Sequence, residues 1–238
     1  MDTTYGPDTE ELMKRTANIE NGVLDVSYLQ IHSLPELPSD LEVLFCKYTP
    51  IICLPELPDT LEVLFCCSNT QLTSLPDLPS KLKDFDCSHT RITSLPNLPS
   101  TLEILWCTNT QLTSLPDLPA GLQKIVCDNT LLTTLPELPD GLKRLECNNT
   151  QLTILPEFPP SLEFIECENT PLLLKPDQNE DLDKYNLRWR PIREEMAARE
   201  RIQKRCSDVK EELMAAAWHP SRVQKLLETG GIEMLESF

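Results

Sequence analysis

Glycine is scarce in this chain, with six in 238 residues, and no Gly-rich phosphate loop can be assembled from them. Histidine is scarcer still. His32, His89 and His219 stand in unrelated contexts, and neither His-Glu-x-x-His nor Gly-x-Ser-x-Gly occurs. Basic residues are outnumbered, 21 Lys and Arg against 38 Asp and Glu, for a net charge of −17. That balance argues against non-specific binding to nucleic acid or to an anionic membrane. No run of eighteen apolar residues is present, so no transmembrane helix is expected. Met1-Asp2-Thr3-Thr4-Tyr5 carries neither a basic n-region nor an apolar h-region, so no secretion signal is expected. Together these absences point away from catalysis, from a cofactor and from a metal. They favour a protein partner and a cytoplasmic setting.

What the chain has instead is a phrase that returns. Leu102 to Pro119, LEILWCTNTQLTSLPDLP, recurs as Leu122 to Pro139 and as Leu82 to Pro99. The Leu-Pro step falls at Leu34, Leu54, Leu75, Leu95, Leu115, Leu135 and Leu155, a period of 20 residues with one step of 21. A unit this short cannot bury its own apolar face, so neighbours must stack into one continuous core. In each unit the inward residues follow the pattern of Leu102, Leu105 and Cys107. The last two are two apart, which is strand spacing. The paired prolines, such as Pro116 and Pro119, remove amide donors and hold the backbone extended, so the other side of each turn should contain no helix.

The consensus L-x-x-L-x-C-x-N-T-x-L-x-x-L-P-x-L-P-x-x resembles the leucine-rich repeat, and its L-P-x-L-P half resembles the short bacterial-effector subclass typified by YopM and IpaH proteins. The resemblance covers about Asn21 to Pro176. It implies an α/β fold, a right-handed solenoid of short repeats with a parallel β-sheet on one side and an extended convex side. Two substitutions depart from the family pattern. A threonine column (Thr49, Thr70, Thr90, Thr110, Thr130, Thr150, Thr170) stands for the ladder asparagine, with one hydroxyl donor where the amide has two. A cysteine column (Cys46, Cys67, Cys87, Cys107, Cys127, Cys147, Cys167) stands for leucine. The extra residue of the 21-step repeat reads as a bulge beside Cys66-Cys67 that re-aims Phe65 or Cys66. Buried cysteines pack as small hydrophobes, so a reduced ladder without disulfides is expected, and no Cys-x-x-Cys pair offers a metal site.

In chain order, residues 1–20 read as an N-terminal helical cap, with Asp8 as N-cap. Residues 21–176 read as the solenoid. Its first turn is imperfect, with Val26 in the cysteine column and Leu29 in the ladder column. Lys175 stands where leucine belongs and ends the array. Residues 177–238 hold 13 acidic and 11 basic residues and read as helical: Pro191 to Lys204, Cys206 to Trp218 and Pro220 to Thr229, closed by Gly230-Gly231, with a short tail after it. The stretch Glu211 to Val223 resembles a C-terminal segment of predicted giant DNA virus repeat proteins, which implies a viral protein acting in a host cell.

The binding residues are sought at the strand positions that flank the inward ones. Val43, Phe45, Val63, Phe65, Asp86, Ile104, Trp106, Lys124, Arg144 and Phe164 are the candidates. Large aromatics aligned on a concave sheet are what binding hot spots look like. The outer columns (Glu42, Glu62, Lys83, Glu103, Gln123, Lys143, Glu163) read as rim. An alternative places function in the C-terminal helices, recruiting host machinery such as a ubiquitin ligase. Cys206-Ser207-Asp208 also matches the Cys-x-Asp of the ligase domain carried by some effectors of this type. Its thiol would be activated if Cys206 opened a helix.

Overall fold

The computed structural model describes residues 7–174, 176 and 182–217. The expected end of the array at Lys175, the Pro220–Thr229 helix and the tail after it lie outside them. Eight three-residue strands run in parallel, in chain order, as one sheet: β1 (Val23–Asp25), β2 (Val43–Phe45), β3 (Val63–Phe65), β4 (Asp84–Asp86), β5 (Ile104–Trp106), β6 (Lys124–Val126), β7 (Arg144–Glu146) and β8 (Phe164–Glu166). Among the described residues two helices occur, α1 (Pro7–Ala17) before the strands in sequence and α2 (Leu182–Ala217) after them. The chain divides into two units, Met1–Asp183 and Lys184–Phe238.

Each turn of the solenoid is built the same way. The carbonyl of the second proline accepts the amide of the leucine three residues on, as Pro99 does from Leu102 at 3.1 Å, which turns the chain into the next strand. The leucine, the middle strand residue and the cysteine then face inward, and Leu102, Leu105 and Cys107 are all fully buried. No helix interrupts the Leu-Pro segments, because their prolines cannot supply the amides a helix requires. One residue later than the cysteine's neighbour, every repeat bends through the left-handed region. Asn109, Asn129, Asn149 and Asn169 do so at φ 52–55°, where a short polar side chain is tolerated. The threonine that follows is buried, and its hydroxyl donates to the cysteine carbonyl of its own repeat, as Thr110 does to Cys107 at 2.8 Å.

The 21-residue repeat differs from the sequence reading. Its strand is not bulged. Leu64 pairs with both Leu44 and Phe85, and Phe65 sits in register between Phe45 and Asp86. The column cysteine is therefore Cys66, fully buried, and not Cys67, which is half-exposed. The ladder residue is Asn69 and not Thr70. Asn69 is fully buried, accepts the amide (2.8 Å) and hydroxyl (2.9 Å) of Thr49, and donates to the Cys46 carbonyl at 2.9 Å. The extra residue is Thr70, which bows outward and is exposed. An insertion on the loop costs the ladder nothing, whereas one in the strand would break its pairing.

Helix α1 begins one residue before Asp8, so Asp8 lies in the first turn instead of capping it. Its carboxylate accepts the Gln30 amide at 2.9 Å, Arg15 donates to the Asp25 carbonyl at 2.9 Å, and Leu12 is buried. In the second unit the two helices read as Pro191–Lys204 and Cys206–Trp218 are one, α2, which starts before Pro191 and contains it. Proline cannot donate to the Leu187 carbonyl, yet no other proline and no glycine follows before residue 217, so helix propensity carries the turn through. Ser207 and Asp208, read as a helix start, lie inside α2. Cys206 is thus a mid-helix position and does not open a helix.

Cys46, Cys53, Cys66, Cys67, Cys87, Cys107, Cys127 and Cys147 are free thiols. Burial pushes the thiols of Cys46 and Cys107 up to about 12, and those of Cys66, Cys87 and Cys127 well above the ordinary value. A thiol near 12 is only about one part in ten thousand thiolate at pH 8. Cys53 is exposed. A native thiol titration at pH 8 should label Cys53 within minutes and leave Cys46, Cys66, Cys87, Cys107, Cys127 and Cys147 unlabelled until denaturant is added. Peptide mapping that found Cys87 or Cys107 labelled in folded protein would contradict this packing.

Candidate concave binding surface

The candidate residues alternate with the buried ones and so share one face of the sheet. Parallel pairing sets two rows across it. One row runs Phe45, Phe65, Asp86, Trp106, Val126, Glu146, Glu166, and the other Val43, Val63, Asp84, Ile104, Lys124, Arg144, Phe164. All ten sequence-derived candidates lie in these two rows. They are half-buried and not bare, because they cover one another. Phe45 and Phe65 meet with ring centroids 5.5 Å apart at 57°. Phe65 and Trp106 meet edge to face at 5.8 Å and 85°, reaching across the strand that carries Asp86.

Cations settle on these rings. The Lys47 ammonium lies 4.6 Å from the Phe65 centroid and 5.2 Å from that of Phe45. Lys124 lies 5.2 Å from Trp106, and the Arg144 guanidinium 4.0 Å from Phe164. Arg144 also pairs with Glu146. Each such contact is worth about 0.5–1 kcal/mol at a site this open. The face is therefore zoned. Strands β2, β3 and β5 present apolar and aromatic side chains, β4 interrupts them with Asp84 and Asp86, and β6–β8 present mostly charged ones. Along the rim, Lys83 pairs with Glu62 at 2.6 Å, and Lys143 donates to Gln123 at 3.0 Å. The rim residues thus hold one another, and such exposed pairs contribute little.

Asp84 is a carboxylate set among apolar side chains on this face. Burial beside the apolar row raises its pKa, the Glu103 charge adds to this, and Lys83 opposes it. A carboxyl raised on folding destabilises the fold once ionised, so stability is lost as pH rises through its folded value and is intact below its unfolded one. Asp84→Asn should raise the melting temperature at pH 7 and make no difference at a pH where the carboxyl is protonated. A variant equally stabilised at both pH values would mean that the charge is not the cause.

Sequence reading missed Lys47 and a pair of tyrosines, and its strand alternation placed Val126 outward. Val126 is buried in the Trp106 row. Tyr28 and Tyr48 stack at 5.0 Å with ring planes 7° apart, just beyond the strand ends. Their signal was available, since both stand where the consensus has asparagine. Among the described residues no group of three His, Cys, Asp or Glu is placed to hold a metal, and no helix is long and apolar enough to cross a membrane.

No protein-family model and no curated protein matches the chain. Solved structures do. The leucine-rich repeat domain of a Shigella effector superposes with a TM-score of 0.63 at 28% identity, covering 71% of this chain and 80% of that one. The leucine-rich effector YopM of Yersinia pestis gives 0.61 at 31% identity, covering 71% and 56%. YopM of Yersinia enterocolitica WA-314 gives 0.55 at 30%, covering 62% and 37%. This chain thus spans about half or less of the YopM chains it resembles. The chain is a leucine-rich repeat solenoid built from short repeats, and these three neighbours include the repeat domains of bacterial effectors.

Proposed function

We propose that this chain is a protein-interaction module that seats a partner on the concave strand face, with Phe45, Phe65 and Trp106 as the apolar anchors. The observation that carries the reading is a chain of ring contacts on one face of the sheet: Phe45 meets Phe65, and Phe65 meets Trp106 past Asp86. Rigid aromatics lose little entropy on binding, and such clusters carry most of an interface's energy. Binding, and not catalysis, is what the surface is suited to. The effector-type neighbours favour a setting inside a host cell, and the resemblance of Glu211 to Val223 favours a viral source.

Affinity capture from host-cell lysate should retain a defined set of proteins on the wild type and lose it on Phe45→Ser/Phe65→Ser/Trp106→Ser. Circular dichroism must show the triple variant still folded. Retention of the same set by both would move the interaction elsewhere. A second reading, recruitment through the C-terminal helices, draws support from Leu187 and Ile202, which α2 leaves exposed. Leu187→Ser/Ile202→Ser would then lose the partner while the concave variant kept it. In either reading α1 serves as the solenoid's N-terminal cap.

A further inference from the structure

The solenoid carries its own reference, because each position recurs in every repeat. At the left-handed position the later repeats use asparagine, while the first two use Tyr28 (φ 66°) and Tyr48 (φ 55°). A bulky side chain is strained there and asparagine is not. The fold imposes the left-handed bend in every repeat, so the choice of tyrosine where asparagine would serve is a pointer to function. Stacking the two rings on each other is a weak reason, since Tyr28 remains 70% and Tyr48 53% exposed. Next in the column stands Ser68, without a ring, and then the exposed His89. Between Tyr48 and His89 two strand spacings, about 9.6 Å, contain only a serine. Tyr48 stacks on Tyr28 by one face, and among the described residues no further aromatic or cationic contact to its ring is present.

Two carboxylates and one cation stand near this slot. Asp86 accepts the Ser88 amide at 2.9 Å, and Asp25 the Ser27 amide at 2.9 Å, which turns a carboxylate toward the loop at each end of the tyrosine stretch. The nearby cation, Lys47, lies over Phe45 and Phe65 instead. Among the described residues none of the cation–ring contacts involves Tyr28 or Tyr48. With a net charge of −17 the chain repels phosphate-bearing ligands and draws cationic ones. An aromatic face beside a carboxylate suits a planar cation. Guanidinium is planar, weakly hydrated, and able to stack and to pair with a carboxylate at once, whereas ammonium is a strongly hydrated point charge.

We propose that the face of Tyr48 above Ser68, backed by Tyr28 and flanked by Asp86, is a docking site for an arginine side chain of a basic protein segment. The site shares only Asp86 with the concave rows and is independent of the reading above. The test uses the full chain with two fluorescent octapeptides, one alternating arginine and glycine, the other lysine and glycine, at physiological ionic strength. Wild type should bind the arginine peptide about tenfold more tightly, or more. Tyr28→Asn/Tyr48→Asn, which restores the column's own residue, should abolish that preference while its melting temperature holds or rises. The Phe45→Ser/Phe65→Ser/Trp106→Ser protein should keep it. Equal affinity of wild type for the two peptides would mean bulk charge alone and would overturn the proposal. So would an unchanged preference in the tyrosine variant, or displacement of the arginine peptide by a polyproline peptide or by maltoheptaose.

Discussion

Truncating Phe85 to alanine is expected to destabilise the solenoid by about 3–5 kcal/mol, read as a fall in the denaturant midpoint. Phe85 is the middle residue of β4, where the other repeats place leucine or isoleucine: Leu24, Leu44, Leu64, Leu105, Ile125, Leu145 and Ile165. It is fully buried, as are the inward residues on either side of it, Leu64 and Leu105. Alanine would therefore leave a cavity between two stacked repeats whose backbones are pinned by strand pairing and cannot collapse into it. A solenoid's stability is a sum over repeats and the interfaces between them, so weakening one interface should also broaden or split the unfolding transition. Phe85→Leu, which restores the column residue, should cost less than about 1.5 kcal/mol. A loss below about 1 kcal/mol for the alanine variant would show that the site relaxes, and that the ring is not what fills the core at β4.

Asn69→Ala is expected to cost about 3 kcal/mol or more, well beyond the roughly 1 kcal/mol of a threonine-to-valine change elsewhere in the ladder. The difference lies in what is left behind. Thr110 makes one bond, to the Cys107 carbonyl of its own repeat. Asn69 serves three groups of the preceding repeat: the Thr49 amide, the Thr49 hydroxyl and the Cys46 carbonyl. Thr49 and Cys46 are buried, so water cannot replace the amide. Asn69→Thr should not rescue the loss, because a hydroxyl has one donor and shorter reach. Amide exchange adds a local readout: the Thr49 N–H should lose protection in Asn69→Ala while that of Leu105 keeps it. Uniform loss across the sheet would mean global unfolding in place of a broken ladder rung. Asn69 and Phe85 flank the same long turn, so their double variant should not be additive.

The 21-residue repeat shows why one sequence feature could be read two ways. Counting 20 residues forward from Cys46 reaches Cys66, and counting 20 back from Cys87 reaches Cys67. The doublets Cys66-Cys67 and Asn69-Thr70 satisfy both frames, and nothing local separates them. Pairing separates them: with Leu64 opposite both Leu44 and Phe85, only Cys66 can point inward, since a slip of one residue turns every side chain to the other face. The helices of the second unit failed for a related reason. Ser207-Asp208 has the chemistry of a helix start, but a start needs a break before it, and the preceding residues contain none. On the binding face, the strand alternation sufficed to name ten candidates. It could not reveal that Lys47 and Lys124 lie over the aromatic rings, nor that Val126 is buried among them.

Repetition is a property of neighbours along the chain. The twenty-residue phrase, its apolar spacing and its prolines were therefore enough to dictate a solenoid with parallel strands, a helix-free far side, a buried cysteine column and one exposed row per strand edge. Contacts between repeats are different, because they depend on how strands align across the sheet. The frame of the long repeat, the three bonds of Asn69, the Phe65–Trp106 contact over Asp86 and the stack of Tyr48 on Tyr28 all join residues of separate turns. Only stacking the turns brings those residues within bonding distance.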